Sequence, residues 1–315
     1  MNTQWHELRA AHVGGSDVAA LFGESPYMTK LKLWQIKKGN MQPANLDDVE
    51  RVQAGNFLEG GIMAWANWKW ESQFVQPKAY FKHPSVKGMG CTPDGIWVRE
   101  GDMSQGDRVL CQIKNVDSIM FNKKAGWEAD GDNITDAPLH ILLQCHHEMA
   151  VTGVGVLWLI VCVGGNRLHR MVIERDDMII RSLEREVAKF WESIEANDPP
   201  SPDYQEDGEV IKYMRSQLDL IDGQVDLSGN NALHAAIEDY KAAADQEKES
   251  KEDKTTFSNK ILDLAGNTKK FICGGYKCTI VETSGTPDSI ITQDMVGQVI
   301  KGRSGSVYPK ITELK

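Results

Sequence analysis

The sequence predicts an α/β protein whose central mixed sheet, rich in antiparallel pairs, is flanked by helices. Apolar residues recur at helical spacing in the first 70 residues, and strand-like runs follow between residues 74 and 173. Three prolines between Pro199 and Pro202 should end the last helix of this region and start a linker. We therefore expect a core over residues 1–200 and a C-terminal extension over residues 201–315.

Helix signals frame the predicted sheet. Ser16 is expected to cap a short helix over residues 17–22, and Thr29 to begin a second one. A longer helix is expected from about Asp47 to Trp70. Its apolar stripe contains Val52, Leu58, Ile62 and Trp65. Two further helices are expected over residues 138–151 and 176–196.

Strand signals alternate with these helices. Strands are expected over residues 74–83, 95–99, 108–114, 155–163 and 168–173. The second and third of these should form a hairpin across the polar turn of residues 100–107, and the last two should pair across residues 164–166. In the extension, a polar helical pattern over residues 231–263 precedes a hairpin over residues 270–282, around Gly274 and Gly275. We expect the extension to be a small helical hairpin plus a β element.

Composition is that of an ordinary soluble globular protein. The 315 residues contain 35 Lys and Arg against 45 Asp and Glu, for a formal net charge of −10. This charge argues against non-specific coating of DNA, but it permits a local basic track or a metal-bridged phosphate site. The residues of the amino terminus show no signal peptide, and the longest apolar run, residues 154–163, is too short for a membrane span. We expect a cytoplasmic protein that does not enter a membrane.

The six cysteines are scattered and form no C-x-x-C pair. This spacing argues against a zinc ribbon and against a disulfide-stapled secreted scaffold. Reduced thiols are therefore expected.

The segment that carries chemistry combines Asp94, at a turn before a strand, with Gln112 and Lys114 on the next strand. Because side chains alternate along a strand, Gln112 and Lys114 share a face, and an in-register hairpin brings Asp94 to the same face. The backbone carbonyl of Ile113 could add an oxygen, and Glu59 could approach from the long helix. Alone, a P-D-G turn or a Q-x-K strand is common; together and in this order they indicate a site.

An oxygen cluster beside one ammonium group suits metal-assisted hydrolysis of a phosphodiester. Hard oxygen ligands bind Mg²⁺, which polarises the phosphate and lowers the pKa of a bound water. A lysine can orient that water or offset developing negative charge.

These residues, in this order, resemble the PD-(D/E)XK nuclease superfamily and, more narrowly, the phage lambda exonuclease or YqaJ-type viral recombinase family. The resemblance covers residues 1 to about 200. Its motifs are WHELR and GGSD at residues 5–9 and 14–17, GNFLE at 55–59, CTPDG at 91–95, QIK at 112–114, QCHHEM at 144–149 and VIERD at 172–176. The fold implied is a restriction-endonuclease-like core.

The resemblance also implies roles for individual residues. Asp94 and Gln112 would bind the catalytic Mg²⁺, for which Mn²⁺ is a plausible substitute, Lys114 would assist the attacking water, and Glu59 would bind a second metal. The 5′-terminal phosphate would be held by Arg9, Ser16 and Thr92, consistent with the bidentate fit of guanidinium to phosphate.

Three further positions have less specific signals. Gln144 would support the metal site. His146, where the family has a second glutamine, is either a stacked or solvent-facing ring or a donor to phosphate. Val52 falls where the family has an apolar wedge that splits the terminal base pair, although a valine on an apolar stripe is more often core.

The function implied is an ATP-independent, Mg²⁺-dependent exonuclease that degrades the 5′-ended strand of double-stranded DNA, releases mononucleotides and leaves a 3′ overhang. No P-loop motif is present. The family works as a ring-shaped homotrimer and passes the overhang to a single-strand annealing protein, which predicts a phage or prophage protein acting in a bacterial host cell. Candidate lysines of a DNA channel are Lys30, Lys32, Lys37, Lys38, Lys123 and Lys124, each of which could equally be an ordinary surface charge.

Two alternatives remain open. One is another nuclease of the superfamily, structure-specific or CRISPR-associated; several of those carry a four-cysteine iron–sulfur site, which Cys273 and Cys278 with no flanking pair do not supply. The other is a catalytically silent DNA-end-binding module. Its support is Gln112, an uncharged residue where the family has Glu or Asp. We nevertheless expect Gln112→Glu to keep or improve cleavage.

Overall fold

The structure, a computed structural model, describes residues 3–77, 79–98, 108–122, 126–219, 223–285, 289–290, 299–300 and 306–313. Side chains are described from residue 7 to residue 285 within these ranges. The chain forms two compact units, Met1–Leu220 and Ile221–Lys315. The predicted turn at residues 100–107 and the candidate channel residues Lys123 and Lys124 lie outside the described residues.

The first unit contains seven α-helices and eight strands among the described residues. The helices are α1 (Thr3–Ala10), α2 (Lys30–Lys37), α3 (Glu50–Trp70), α4 (Ser118–Asn122), α5 (Leu139–Thr152), α6 (Asp177–Ala196) and α7 (Gly208–Ser216), with a 3₁₀ helix at Val18–Phe22. The strands are β1 (Phe81–Lys82), β2 (Gly90–Cys91), β3 (Gly95–Val98), β4 (Arg108–Val116), β5 (Glu128–Asp130), β6 (Asn133–Asp136), β7 (Val156–Val163) and β8 (Arg167–Glu174).

Six of these strands form the central sheet, in the order β3-β4-β7-β8-β6-β5. The β4/β7 and β6/β8 pairs are parallel, and the other three pairs are antiparallel. The predicted α/β class, a mixed sheet flanked by helices, is therefore confirmed. The antiparallel register of β3 on β4 pairs Gly95 with Cys111, which places the residue before Gly95 beside the residue after Cys111.

The core lies on both faces of the sheet, because β7 is buried from Leu157 to Val163. Leu157, Leu159 and Val161 pack in the cluster that includes residues of α5 and α6. The alternating residues Trp158 and Ile160 pack in the cluster that includes residues of α3. Period-2 alternation thus divides one apolar run between two hydrophobic cores.

The predicted strand over residues 74–83 is mostly wrong. Val75 makes an isolated bridge to Ile96, and regular strand is confined to Phe81–Lys82. The amide of Asn67, one turn before the end of α3, accepts the Phe74 N–H and donates to the Phe74 carbonyl. These two hydrogen bonds occupy the N–H and C=O groups of Phe74, so neither can pair with a neighbouring strand. Pro77 has no N–H with which to pair.

Two predictions about helix caps have opposite outcomes. Thr29 caps α2, since its hydroxyl accepts the Lys32 N–H at 3.0 Å. Ser16 does not cap the next helix: the 3₁₀ helix begins at Val18, and the side chain of Ser16 is exposed. Asp17 stands at the cap position instead, and its carboxylate accepts the Gly14 N–H.

The helix of the first unit that was predicted from Asp47 begins at Glu50. Its expected apolar stripe is only partly buried. Ile62 is in the core, but Val52 and Leu58 are exposed. The interpretation of Val52 as a core residue is therefore wrong.

The second unit is built from α8 (Asn231–Ala265) and a three-stranded antiparallel sheet of β9 (Lys270–Cys273), β10 (Tyr276–Thr283) and β13 (Ser306–Glu313). A separate pair consists of β11 (Ser289–Ile290) and β12 (Val299–Ile300). The predicted hairpin around Gly274 and Gly275 is confirmed, and both glycines have positive φ angles that other residues rarely adopt. The predicted helix is also confirmed.

The predicted boundary of the nuclease core at residue 200 stays a prediction. The compact first unit extends beyond it and includes α7. The hydroxyl of Thr29 donates a hydrogen bond to Asp207, just before α7. None of the described helices is both long enough and apolar enough to cross a bilayer.

Candidate active site

Three segments that are distant in sequence meet at one pocket of the first unit. They are the middle of α3, the turn before β3 and the central part of β4. The pocket is lined by Gly55, Asn56, Glu59, Ile62, Asp94, Gln112, Ile113, Lys114 and Asn115. The structure thus brings together the four side chains that the sequence nominated for catalysis.

Asp94 is held by β4. Its Oδ2 accepts the Gln112 amide at 2.5 Å and the Ile113 backbone N–H at 2.7 Å. The turn can approach β4 this closely because Gly95 has no side chain: a Cβ there would lie 2.5 Å from the Cys111 sulfur. Both hydrogen bonds fall on Oδ2.

Burial and a nearby carboxylate change the acidity of Asp94. Burial, followed by repulsion from Glu59, raises the pKa of Asp94 to about 7. The hydrogen bonds from Ile113 and Gln112 and the charge of Lys114 act in the opposite direction. A cation beside Asp94 and Glu59 would relieve the repulsion.

Glu59 faces the same pocket from α3. Its Oε1 accepts the Gln76 amide at 2.9 Å. Burial raises the pKa of Glu59, while the Gln76 hydrogen bond and the charge of Lys114 oppose this shift. Lys114 lines the same pocket as both carboxyl groups.

Lys114 points to the α5 side of the sheet. Its Nζ donates to Gln144 Oε1 at 2.8 Å, while Ile113 packs in the hydrophobic cluster on the opposite side. The alternation predicted for residues 112–114 is therefore present. Gln144, predicted as a supporting residue, is in direct contact with the lysine.

Sequence reasoning missed Glu148, one turn further along α5. Its Oε1 accepts the Gln144 amide at 3.0 Å, and the residue is 1% exposed. Burial, followed by the charge of Asp94, raises its pKa. The available signal was the i, i+4 spacing of Gln144 and Glu148 on a helix of otherwise apolar character.

The donor set is suited to a hard divalent cation. Two carboxylates, the Gln112 amide and the Ile113 carbonyl supply only oxygen, which Mg²⁺ and Mn²⁺ prefer. Gln112 Oε1 is buried with no hydrogen-bond partner among the described residues, which fits an oxygen that ligates a cation. No cluster of three His, Cys, Asp or Glu side chains suited to a metal occurs in the described part of the chain, because the third position here is an amide.

The residues predicted to hold a 5′-phosphate are all exposed. They are Arg9 at the end of α1, Ser16 before the 3₁₀ helix and Thr92 after β2. No hydrogen bond joins their side chains to one another within the described residues. Burial, and then the charges of Cys91 and Asp17, raise the pKa of Tyr80, while the charge of Arg9 opposes this shift. Sequence reasoning did not single out Tyr80.

Two weaker predictions are resolved in part. His146 is 7% exposed, so the solvent-facing interpretation is wrong, and no ring stacks on it within the described residues. Its role as a phosphate donor stays a prediction. Val52 is 37% exposed, which leaves its role as a wedge open as a prediction.

The four candidate channel lysines that the structure describes make contacts within the first unit. Lys37 is a structural residue: its side chain is 6% exposed and its ammonium contacts Asp17 at 2.8 Å and the carbonyls of Arg9 and His12. A channel role for Lys37 is therefore wrong. Lys38 donates to the Ile194 carbonyl. Lys30 and Lys32 form ion pairs with Glu186 and Glu209, respectively.

The mixed sheet thus brings Asp94, Gln112 and Lys114 to one pocket with the helix carboxylate of Glu59. Residues 4–155 match the sequence model of the YqaJ-like viral recombinase domain. This part of the chain, just under half of its length, is therefore similar to a YqaJ-like viral recombinase domain.

Similar proteins include the uncharacterized protein YqaJ of Bacillus subtilis (strain 168), which is 24% identical over 190 residues, or 60% of this chain and 54% of the relative. The chain thus spans about half the length of that curated relative. Among solved structures, the alkaline exonuclease LHK-Exo of Laribacter hongkongensis is 21% identical with a TM-score of 0.46, over 69% of this chain and 100% of that chain. A phage-related exonuclease of Haemophilus somnus 129PT is 12% identical with a TM-score of 0.38, over 59% and 96% of the two chains.

Proposed function

We propose that this protein is a Mg²⁺-dependent, ATP-independent exonuclease that degrades the 5′-ended strand of double-stranded DNA and leaves a 3′ overhang. The observation that carries this proposal is the pocket in which Glu59, Asp94, Gln112 and Lys114 meet. The similarity of residues 4–155 to the YqaJ-like viral recombinase domain supports a role in viral recombination. Mononucleotides are the proposed products.

Within the pocket each residue has a distinct task. Asp94, the Gln112 amide oxygen and the Ile113 carbonyl would hold Mg²⁺ or Mn²⁺, and Glu59 would hold a second ion. When bound, the metal supplies Lewis acidity toward the scissile phosphate and a more acidic water. Lys114 donates hydrogen bonds only, so it can orient an attacking water through the lone pairs of the water oxygen and offset charge on the phosphate.

The polarity of digestion would come from the 5′ end. Arg9, Ser16 and Thr92, all exposed in the first unit, are proposed to bind the terminal phosphate, with His146 as a further donor. Val52, exposed on α3, is proposed to separate the terminal base pair. A homotrimer encircling DNA would retain the substrate without an ATP-driven motor, and a single-strand annealing protein of the same phage or prophage would receive the overhang in the bacterial cytoplasm.

The test uses a linear duplex with a 5′-phosphate at one end and a 5′-hydroxyl at the other, incubated with Mg²⁺, Mn²⁺ or EDTA. We expect mononucleotide release from the phosphorylated 5′ strand and an intact complementary strand. Asp94→Ala should reduce the rate by about a hundredfold or more. Asp132→Ala, which removes an exposed carboxylate of an ion pair with Lys69, is the matched control and should remain active. Loss of the 3′-ended strand, or no release with either metal, would contradict the proposal.

Gln112 favours one competing function, a DNA-end-binding module without catalysis. With Gln112, the site has one carboxylate fewer than the family pattern. It therefore attracts a divalent cation less strongly, because an amide brings no charge. The same digestion separates the two functions. If wild type and Asp94→Ala both bind DNA ends and neither releases nucleotides, the binding module is correct.

A further inference from the structure

Beneath the proposed catalytic lysine, α5 carries a buried carboxylate that no predicted role includes. We propose that Glu148 is a positioning residue that sets the orientation of the Gln144 amide and, through it, the position of the Lys114 ammonium. This inference rests on the proposed nuclease function. It deepens that function by adding a residue that does not touch the substrate.

The contacts form one chain from the pocket into the core. Lys114 Nζ donates to Gln144 Oε1 at 2.8 Å, and Gln144 Nε2 donates to Glu148 Oε1 at 3.0 Å. Glu148 is 1% exposed, so water does not compete for its oxygen. Its other oxygen, Oε2, has no hydrogen-bond partner among the described residues, which leaves Gln144 as the donor that this carboxyl group holds.

The roles of donor and acceptor fix the orientation of the Gln144 amide within this series of hydrogen bonds. A lysine ammonium only donates, and the accepting oxygen of a carboxyl group only accepts. The Gln144 amide between them satisfies both partners in one orientation, with its oxygen toward Lys114 and its nitrogen toward Glu148. Without an acceptor at position 148, the Gln144 amide is held by Lys114 alone, so its oxygen no longer fixes the position of the Lys114 ammonium.

A close backbone approach supports this role. A Cβ on Gly15 would lie 3.0 Å from Glu148 Oε1 and 3.1 Å from Gln144 Cγ. Gly15 has no positive φ, so backbone conformation does not require glycine there. The glycine is explained by the space that the Gln144–Glu148 pair occupies, next to the segment proposed to bind the 5′-phosphate.

The first test compares two substitutions at position 148 that have similar volume. Glu148→Leu removes the acceptor, and we expect kcat to fall by about tenfold to a hundredfold with KM for DNA within about twofold, because displacement of a reacting group by about 1 Å can reduce the rate to this extent. Glu148→Gln retains an accepting oxygen and should recover most of the activity. A raised KM with unchanged kcat, or an equal loss in both variants, would overturn the proposal.

A double-mutant cycle asks whether Glu148 acts through Gln144. In a Gln144→Ala background, Glu148→Leu should have little further effect on kcat, because the connecting amide is already absent. Multiplicative effects of the two substitutions would show that Glu148 acts by another route, and the proposal would fail.

A readout without metal or DNA separates this inference from the proposed function. In protein labelled with ¹⁵N-glutamine, the side-chain signal of Gln144, assigned by its loss in Gln144→Ala, should show slow hydrogen exchange in wild type and faster exchange in Glu148→Leu. Unchanged exchange would overturn the inference even if wild type digests DNA. Failure of wild type to digest DNA, with the exchange difference present, would overturn the function and leave the Glu148 contact established.

Gly15→Ala tests the same chain if Glu148→Leu does not fold. The added methyl group should displace the Gln144–Glu148 pair and lower kcat, again with a smaller change in KM. Gly155→Ala is the matched control, because the space around Gly155 is open and its φ is not positive. Equal kcat values for Gly15→Ala and wild type would contradict the proposal.

Discussion

At the scale of single residues, the acidity of Asp94 has a consequence for stability. Its pKa in the folded protein is about 7, against 3.8 for an ordinary aspartate, mainly because of burial and then because of Glu59. The folded state therefore binds this proton more tightly than the unfolded state. The stability contributed by protonated Asp94 is present below about pH 4 and is lost as the pH rises toward 7.

Asp94→Asn should therefore stabilise the metal-free protein, and the gain should grow between pH 4 and pH 7. An asparagine oxygen can accept the same hydrogen bonds from Gln112 and Ile113 but cannot ionise. Urea unfolding in EDTA at several pH values measures this. Asp132→Asn is the control and should change stability in the opposite direction. Because Lys69 lowers the pKa of Asp132, loss of that ionised group should destabilise the protein. Parallel stability curves for wild type and Asp94→Asn would show that Asp94 does not titrate as described.

Gln112→Glu should keep or improve cleavage and bind Mg²⁺ or Mn²⁺ more tightly, because a carboxylate adds charge to the ligand set. Without metal the variant should be less stable than wild type, since the hydrogen bond to Asp94 is replaced by repulsion between carboxylates. Calorimetric titration with metal and unfolding in EDTA measure the two effects. Complete loss of cleavage would contradict the expectation.

At the scale of elements, the N-terminus of α2 joins α7 to the rest of the first unit. The Thr29 hydroxyl accepts the Lys32 N–H and donates to Asp207, a buried carboxylate that also accepts the Asp203 N–H. One side chain thus caps a helix and satisfies a second segment. The capping function was visible in the sequence, whereas the contact with Asp207, 178 positions away, was not.

Thr29→Ala should lower the free energy of unfolding by about 1 kcal/mol for the lost cap, with about 1–3 kcal/mol more because Asp207 loses a donor. Thr29→Ser keeps the hydroxyl and should retain most of the stability. Guanidinium unfolding of the two variants gives the difference. If alanine and serine are equivalent at this position, the hydroxyl does not make these contacts in solution.

Helices and strands could be predicted where the pattern of their own residues is enough to define them. The apolar run of β7 and the periodic pattern of α6 were located to within one or two residues. The run over residues 74–83 has strand-like composition, but the amide of Asn67 takes the backbone groups of Phe74. These hydrogen bonds depend on the position of the end of α3 in the folded protein, which cannot be predicted from the composition of residues 74–83.

At the scale of the whole molecule, the main expectation concerns the oligomeric state, for which the sequence resemblance implies a homotrimer. We expect light scattering to give three times the chain mass of 35.2 kDa, without DNA. A monomer mass at every concentration tested would contradict the homotrimer. The proposed exonuclease activity would then need another explanation for any processivity.

The sequence by itself determined the fold class and nominated four members of the site. Strand alternation predicts that Gln112 and Lys114 share a face, turn chemistry predicts Asp94 beside them, and Glu59 was nominated on the long helix. Tertiary structure decided how the helices meet at that site. Glu59 approaches from α3 and Glu148 from α5, and Lys37, which looks like a surface charge in the sequence, is buried against Asp17. Local spacing fixes the direction of a side chain relative to its own element. Its neighbours depend on how separate elements pack, which arises only when the chain is folded.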